Sequence, residues 1–182
     1  LAKKLMGYFQ GEITDWTCED QRWLRRAVPE NRLHAYDMRH LINVFADTDS
    51  VVELRPDFAP GMITAFVRVE GRPLGLIAND PKVLGGAIDA AGADKASRFM
   101  QLCDAFGVPM VSFCDTPGFM VGPEEEETAM VRHTCRMFVT AASLTVPLFS
   151  LVTRKGYGLG AQGMTGGSFH APFFCASWPS GE

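Results

Sequence analysis

One rhythm of apolar and polar positions occurs twice along the chain. An amphipathic segment leads through a Val-Pro step into a short apolar run, which ends in a polar loop rich in Gly and Pro. In the first copy, residues 94–106 place Ala96, Phe99, Met100 and Cys103 on one stripe at helical spacing. The strand-length run at residues 108–114 follows and ends in the loop Asp115-Thr-Pro-Gly-Phe119. In the second, residues 126–142 predict a helix with Val131, Cys135, Phe138 and Ala142 on one face and Arg132 and Arg136 on the other. Residues 146–152 read as the next strand, and a loop then opens with Gly156, Gly158, Gly160, Gly163, Gly166 and Gly167. The two Val-Pro steps lie 38 residues apart. Apolar strands alternating with helices predict parallel strands joined by right-handed crossovers. Ligands of such sheets sit beyond the carboxyl ends of the strands. Both loops are therefore expected to line one cleft.

Upstream, residues 62–69 and 74–78 are apolar or β-branched runs joined by Glu70-Gly-Arg-Pro73, a hairpin signal. Residues 36–46 predict a short helix with Leu41, Ile42 and Phe45 on one face. Residues 1–34 are mixed, with a break at Pro29-Glu-Asn31, and residues 47–60 read as connecting chain. The α/β pattern of a hairpin, a helix and then repeated strand–helix steps fits a spiral of ββα units as well as a doubly wound sheet.

Composition narrows the function. At 182 residues and 47% hydrophobic, the chain can bury one domain's core. A net charge of -4 argues against general nucleic-acid affinity, and Arg22, Arg25 and Arg26 around Trp23 read as a solvated helix face. Five cysteines, an odd number with no Cys-x-x-Cys pair, point to reduced thiols in a cytoplasmic protein. His133 and Cys135 are two apart and face different sides of a helix, so no metal site is expected there. No apolar run approaches the roughly 20 residues of a membrane span. The first residues, LAKKLMGYFQ, lack the apolar core of a signal peptide and read as a helix end. With the abrupt ending SWPSGE, they lead us to expect a fragment of a longer chain.

The glycine-rich loop carries the chemistry. Glycine permits positive φ and close approach to the main chain. At the end of a buried strand it lets backbone N–H groups face a negatively charged oxygen. Gly158-Leu-Gly-Ala-Gln-Gly163 spells G-x-G-x-x-G, but six residues, Thr153 to Gly158, separate Val152 from Leu159, and Gly166, Gly167 and Pro172 interrupt the segment that a dinucleotide fold would make helical. Glu182 also lies in a Pro-Ser-Gly turn rather than at a strand end. No Gly-Lys-Ser/Thr closes a phosphate loop, and G-x-S-x-G is absent. The acids Glu124 to Glu127 suit a helix start rather than a metal cage. Asp115 with Pro117 and Gly118 is either a ligand-facing turn or a cap for the next helix. Arg154 and Lys155 either hold a phosphate or carboxylate, or are two charges leaving a strand. His34, His40 and His170 have no evident partner, although His170 closely follows the loop.

Several stretches together resemble the carboxyltransferase (β) subunit of biotin-dependent acyl-CoA carboxylases, of the propionyl-CoA carboxylase β type, in its C-terminal half. They are Tyr36-Asp-Met38 with Val51-Val-Glu-Leu54, residues 67–79, Asp94-Lys-Ala-Ser-Arg-Phe99, Cys103-Asp-Ala-Phe106, Asp115-Thr-Pro-Gly-Phe119, Thr153-Arg-Lys-Gly-Tyr-Gly158 and Ala176-Ser-Trp-Pro179. The resemblance implies a crotonase-like (ClpP/crotonase) ββα superhelix. Residues 1–34 would be the end of a preceding N-terminal carboxyltransferase domain plus linker, and residues 35–182 a C-terminal domain cut short. It implies transfer of CO2 from carboxybiotin to the α-carbon of an acetyl- or propionyl-CoA class substrate. Negative charge then develops on the thioester as an enolate and on the biotin urea.

In the family the C-terminal half supplies the biotin-side N–H donors. The matching loop places them at Leu159 and Gly160 by one alignment, or at Gly160 and Ala161 by another. Tyr157, Gly158, Gln162, Asp115, Pro117, Gly118, Phe119, Arg154 and Lys155 would surround the site. Gln162 stands where some members carry an acid that helps choose the acyl chain. Implied partners are a biotin carboxylase/biotin carboxyl carrier subunit bearing the biotin, the acyl-CoA, and further copies in a hexamer whose sites join halves of two subunits. The chain alone is expected to bind biotin weakly and turn over nothing. The competing readings are another crotonase-fold acyl-CoA enzyme, a decarboxylase or hydratase, and a non-catalytic CoA-binding or assembly module.

Overall fold

In the computed structural model, which describes residues 1–31 and 33–182, one sheet of six strands runs in sequence order. Strands β1 (Val52–Glu53), β2 (Met62–Val69) and β3 (Arg72–Asn79) are antiparallel. Glu70 and Gly71, both at positive φ, make the hairpin turn between β2 and β3. Strands β4 (Met110–Thr116), β5 (Leu148–Gly156) and β6 (Phe174–Ser177) continue the sheet in parallel from β3. Helix α3 (Ala90–Ala105) connects β3 to β4, capped by Asp89, whose carboxylate accepts the Gly92 N–H. Helices α4 (Pro123–Glu127) and α5 (Met130–Ala142) connect β4 to β5, and α6 (Gly158–Met164) follows β5. The ββα order and the parallel crossovers are those the chain pattern predicts, in a crotonase-like fold.

Period-two alternation splits the sheet between two cores. Phe66, Ile77, Met110 and Cys114 face α3, α5 and α6, against Phe99, Met100, Met137 and Met164. Ala65, Val67, Leu76, Ala78, Val111 and Phe113 face the other way, against Met38, Leu41 and Ile42 of α2 (Met38–Phe45). Asp37 caps α2 through the Arg39 and His40 N–H groups. The amino-terminal segment, with α1 (Ala2–Gly7), is tied to the sheet. Tyr8 stacks on Phe66, and the buried Arg68 guanidinium donates to the carbonyls of Gly7 and Gly11.

Three expectations need correction. The helix predicted over 126–142 is two helices, broken at Ala129, which adopts a left-handed φ of 58°. Its buried residues are Met130, Met137, Thr140 and Ala141, not the predicted face, and Val131 is 69% exposed. Apolar side chains occupy two faces of this helix, so spacing alone does not choose between them. The glycine-rich segment is not loop throughout, because residues 158–164 are helical. Helical glycines cost about 1 kcal/mol each relative to alanine. Here contact decides: a Cβ on Gly160 would lie 2.7 Å from Gly118 Cα, and one on Gly163 would lie 3.1 Å from the Phe119 ring. Strands β1 and β6 fall in stretches not read as strands from the sequence.

Candidate active site

Strands β4 and β5 are parallel neighbours, so the loops at their carboxyl ends meet. The Tyr157 N–H, at the N-cap of α6, donates to the Thr116 carbonyl at 3.2 Å. Thr116 Oγ1 accepts the Gly118 N–H at 3.1 Å, which fixes the turn on which Gly160 packs. The sequence therefore brings Pro117, Gly118 and Phe119 together with Tyr157, Gly158 and Gly160, as the strand order requires. Pro117, Gly158 and Leu159 are exposed around this junction, and Gln162 is half-buried on α6.

The first turn of a helix leaves N–H groups without intrahelical partners. In α6 the Ala161 N–H is already taken by the Tyr157 carbonyl at 3.3 Å. The N–H groups of Gly158, Leu159 and Gly160 have no acceptor among the described residues. Of the two donor pairs open at the sequence level, Leu159 with Gly160 is the one with uncommitted amides. Such a turn, with the partial positive charge of a helix start, suits an oxygen that gains negative charge.

The charged residues predicted for the site lie deeper. Asp115 is fully buried and Arg154 is 3% exposed. The guanidinium reaches the carboxylate through Nε at 3.1 Å and Nη2 at 3.0 Å, while Nη1 donates to the His34 carbonyl at 2.7 Å. The Arg154 guanidinium also lies 4.9 Å from the centre of the Tyr36 ring. Tyr36 Oη is 3.0 Å from Thr153 Oγ1, and burial first, then the Asp115 charge, pushes its phenol above its ordinary range. Lys155 donates its backbone N–H to Asp115 Oδ1 at 3.2 Å and its ammonium to the Gly85 carbonyl. Asp115 and Arg154 thus belong to the protein interior beneath the loops. Asn79, whose Oδ1 accepts the Asp115 N–H at 3.1 Å, belongs to the same cluster. Its only sequence signal was its place at the end of a strand.

The acidic run and His133 lie on the helices beyond this junction. Glu124, Glu125 and Glu126 occupy the first turn of α4. His133 does not face a cysteine; its Nδ1 lies 2.8 Å from Asp94 Oδ2, and Arg136 holds the other oxygen at 2.6 Å. Among the described residues no group of three or more His, Cys, Asp or Glu is placed to hold a metal. Likewise, no helix is long and apolar enough to cross a membrane. A groove of about 960 Å³ lies away from the junction, between Leu24, Val28, Leu151 and Trp178, and of the predicted site residues it touches only Arg154.

The fold is thus a crotonase-like sheet with uncommitted helix-start amides at its strand ends. Its family follows from comparison. The carboxyl transferase domain matches residues 11–182, and the chain belongs to that family. The propionyl-CoA carboxylase beta chain of Roseobacter denitrificans is 38% identical over 85% of this chain and 30% of its own length. The methylmalonyl-CoA decarboxylase subunit alpha of Veillonella parvula is 38% identical over 92% of this chain and 33% of its own. A solved single-chain, multi-domain long-chain acyl-CoA carboxylase superposes with a TM-score of 0.98 at 57% identity, over all of this chain and 18% of that one. The hexameric transcarboxylase 12S core, solved with hydrolysed methylmalonyl-coenzyme A, gives 0.88 at 32% identity, over all of this chain and 37% of that one. The chain spans about a third of the length of these curated relatives.

Proposed function

We propose that this chain supplies the biotin-side half of a carboxyltransferase that moves a carboxyl group from carboxybiotin to the α-carbon of an acyl-CoA, of the acetyl- or propionyl-CoA class. The observation that carries the reading is the pair of uncommitted amides at Leu159 and Gly160, held against the Gly118 turn in a chain of this family. Carboxybiotin, when bound, supplies the carboxyl group. The Leu159 and Gly160 N–H groups hold its urea oxygen and stabilise the charge that grows there; one such donor contributes about 2.7–4 kcal/mol. Gly160 has no Cβ, which keeps the donor helix against residues 118–119. Tyr157 and Leu159 are exposed beside these amides, and Gln162 is half-buried one turn on, where a choice of acyl chain is assigned to it. The site residues present fit a neutral urea: two N–H donors, with the nearby Asp115 charge neutralised in the interior.

The same proposal assigns the acyl-CoA donors to a preceding N-terminal domain, of which residues 1–34 are the end plus linker, while residues 35–182 form the C-terminal domain. Copies assemble as a hexamer, a carrier subunit brings the biotin, and the enzyme works in the cytoplasm. The chain alone is inactive. A second reading is favoured by the relative from Veillonella parvula: the same transfer run toward biotin, as a decarboxylase does. Isotope exchange between malonyl- or methylmalonyl-CoA and free biotin, measured with the full-length enzyme, tests both. Exchange is expected under both readings; ATP-dependent net carboxylation of the acyl-CoA marks the carboxylase, net loss of CO2 from the acyl-CoA without ATP marks the decarboxylase, and absence of exchange in an enzyme that binds acyl-CoA refutes carboxyl transfer.

A further inference from the structure

Strands β4 and β5 lose register where the site begins. Cys114 pairs with Val152 and Thr116 with Gly156, so two steps along β4 match four along β5. Bulges of this kind re-aim the chain that follows. The wide stretch is filled by the Asp115 carboxylate. Its Oδ1 takes the Lys155 backbone N–H at 3.2 Å, and its Oδ2 takes Arg154. Asp115 is itself pinned from β3, through Asn79 Oδ1, and from the 84–86 turn. There an added Cβ on Gly86 would lie 2.1 Å from the Asp115 carbonyl oxygen. Lys155 is three residues from Gly158, where α6 starts. A fully buried ion pair is weak evidence of stability, because desolvation offsets much of its attraction. Its place at the exit of β5 gives it another use.

We infer that Asp115 is a positioning residue: by accepting the Lys155 N–H it fixes where β5 ends and so where the Leu159 and Gly160 amides stand. The inference rests on the carboxyl-transfer reading of those amides. Two double variants of the full-length enzyme separate positioning from charge pairing. Asp115→Asn with Arg154→Met removes the ion pair but keeps an oxygen for the Lys155 N–H. Asp115→Leu with Arg154→Met removes both. Neither leaves an unpaired charge at position 115 or 154, and both equally remove the carboxylate that the Lys155 ammonium approaches at 3.7 Å, so that loss cancels between them. The Leu–Met enzyme is expected to lose about 100-fold in kcat, with the acyl-CoA KM within about twofold, as a displacement near 1 Å would produce. The Asn–Met enzyme is expected to stay within about fivefold of the parent.

Independently of turnover, amide hydrogen exchange in peptides covering residues 155–162 is expected to speed up in the Leu–Met protein and not in the Asn–Met protein. Equal turnover or equal exchange in the two variants overturns the inference. If the Leu–Met protein does not fold, the Asn–Met enzyme decides alone: a loss of about 100-fold there shows that the acceptor oxygen is insufficient and overturns it. Gly160→Pro tests the underlying reading separately. Parent-like turnover in that variant refutes the site, whereas its loss together with equal Asp115 variants refutes only the positioning role.

Discussion

Adding one methyl group at Gly160 separates the demands of the fold from those of the site. In Gly160→Ala the new Cβ would lie 2.7 Å from Gly118 Cα and C and 3.1 Å from Phe119 N. Ordinary carbon contacts lie at about 3.5–4.0 Å, so α6 and the Gly118 turn must part by about 1 Å. Overpacking of this kind costs about 1–3 kcal/mol, and alanine returns about 1 kcal/mol of helix propensity. Stability should therefore fall by no more than about 2 kcal/mol. The donors move with the helix, and a displacement near 1 Å costs about 100-fold in rate, or about 2.7 kcal/mol. The assay is carboxyl exchange from methylmalonyl-CoA to free biotin by the full-length enzyme, with kcat and KM determined for both substrates, alongside a thermal melt. The prediction is a folded enzyme with kcat down about 100-fold and the acyl-CoA KM nearly constant. A kcat within about twofold of the parent would show that the Gly160 contact does not set the donors, and the reasoning would fail.

Two further outcomes follow from burial. Lys95 is fully buried, donates to the Phe58 carbonyl at 2.7 Å, and has its pKa lowered from 10.5 to about 8 by burial, with Arg55 and Arg39 adding to the shift and Glu53 opposing it. The folded chain then binds fewer protons than the unfolded chain between those pH values, so stability rises with pH across that window, by about 3 kcal/mol at most. Lys95→Met should remove that rise in urea titrations at pH 8 and 10, and an unchanged slope would contradict it. Burial also pushes the Cys103 and Cys114 thiols up to about 12. Iodoacetamide at pH 8 should modify the exposed Cys18 and Cys135 in the native protein and spare Cys103 and Cys114 until denaturant is added.

The parts of the fold legible in the sequence were those governed by strong local patterns. The runs at 62–69 and 74–78, the helical stripe at 94–106 and the strand run at 108–114 all form, although the helix begins four residues earlier, at Ala90, and the strand runs from Met110 to Thr116. The second helix misled because Met130 and Met137 compete with Val131 and Cys135 for the core, and only packing on α3 and α6 decides between them. The site was half legible. Glycines at a strand end pointed to backbone donors, but whether Ala161 was free depended on Tyr157 starting a helix that glycine-rich sequence disfavours. Asp115 and Arg154 are 39 residues apart, so their pairing follows from the parallel β4–β5 neighbourhood and not from any motif. Chain spacing cannot tell a charge that meets a ligand from one that meets its partner inside.

The most direct measurement is a crystal structure of the full-length enzyme with free biotin bound. The account predicts the urea oxygen about 2.7–3.1 Å from the N–H groups of both Leu159 and Gly160, with Ala161 still bonded to Tyr157. Biotin seated elsewhere, or its urea oxygen held by other donors while these two amides face solvent, would contradict it.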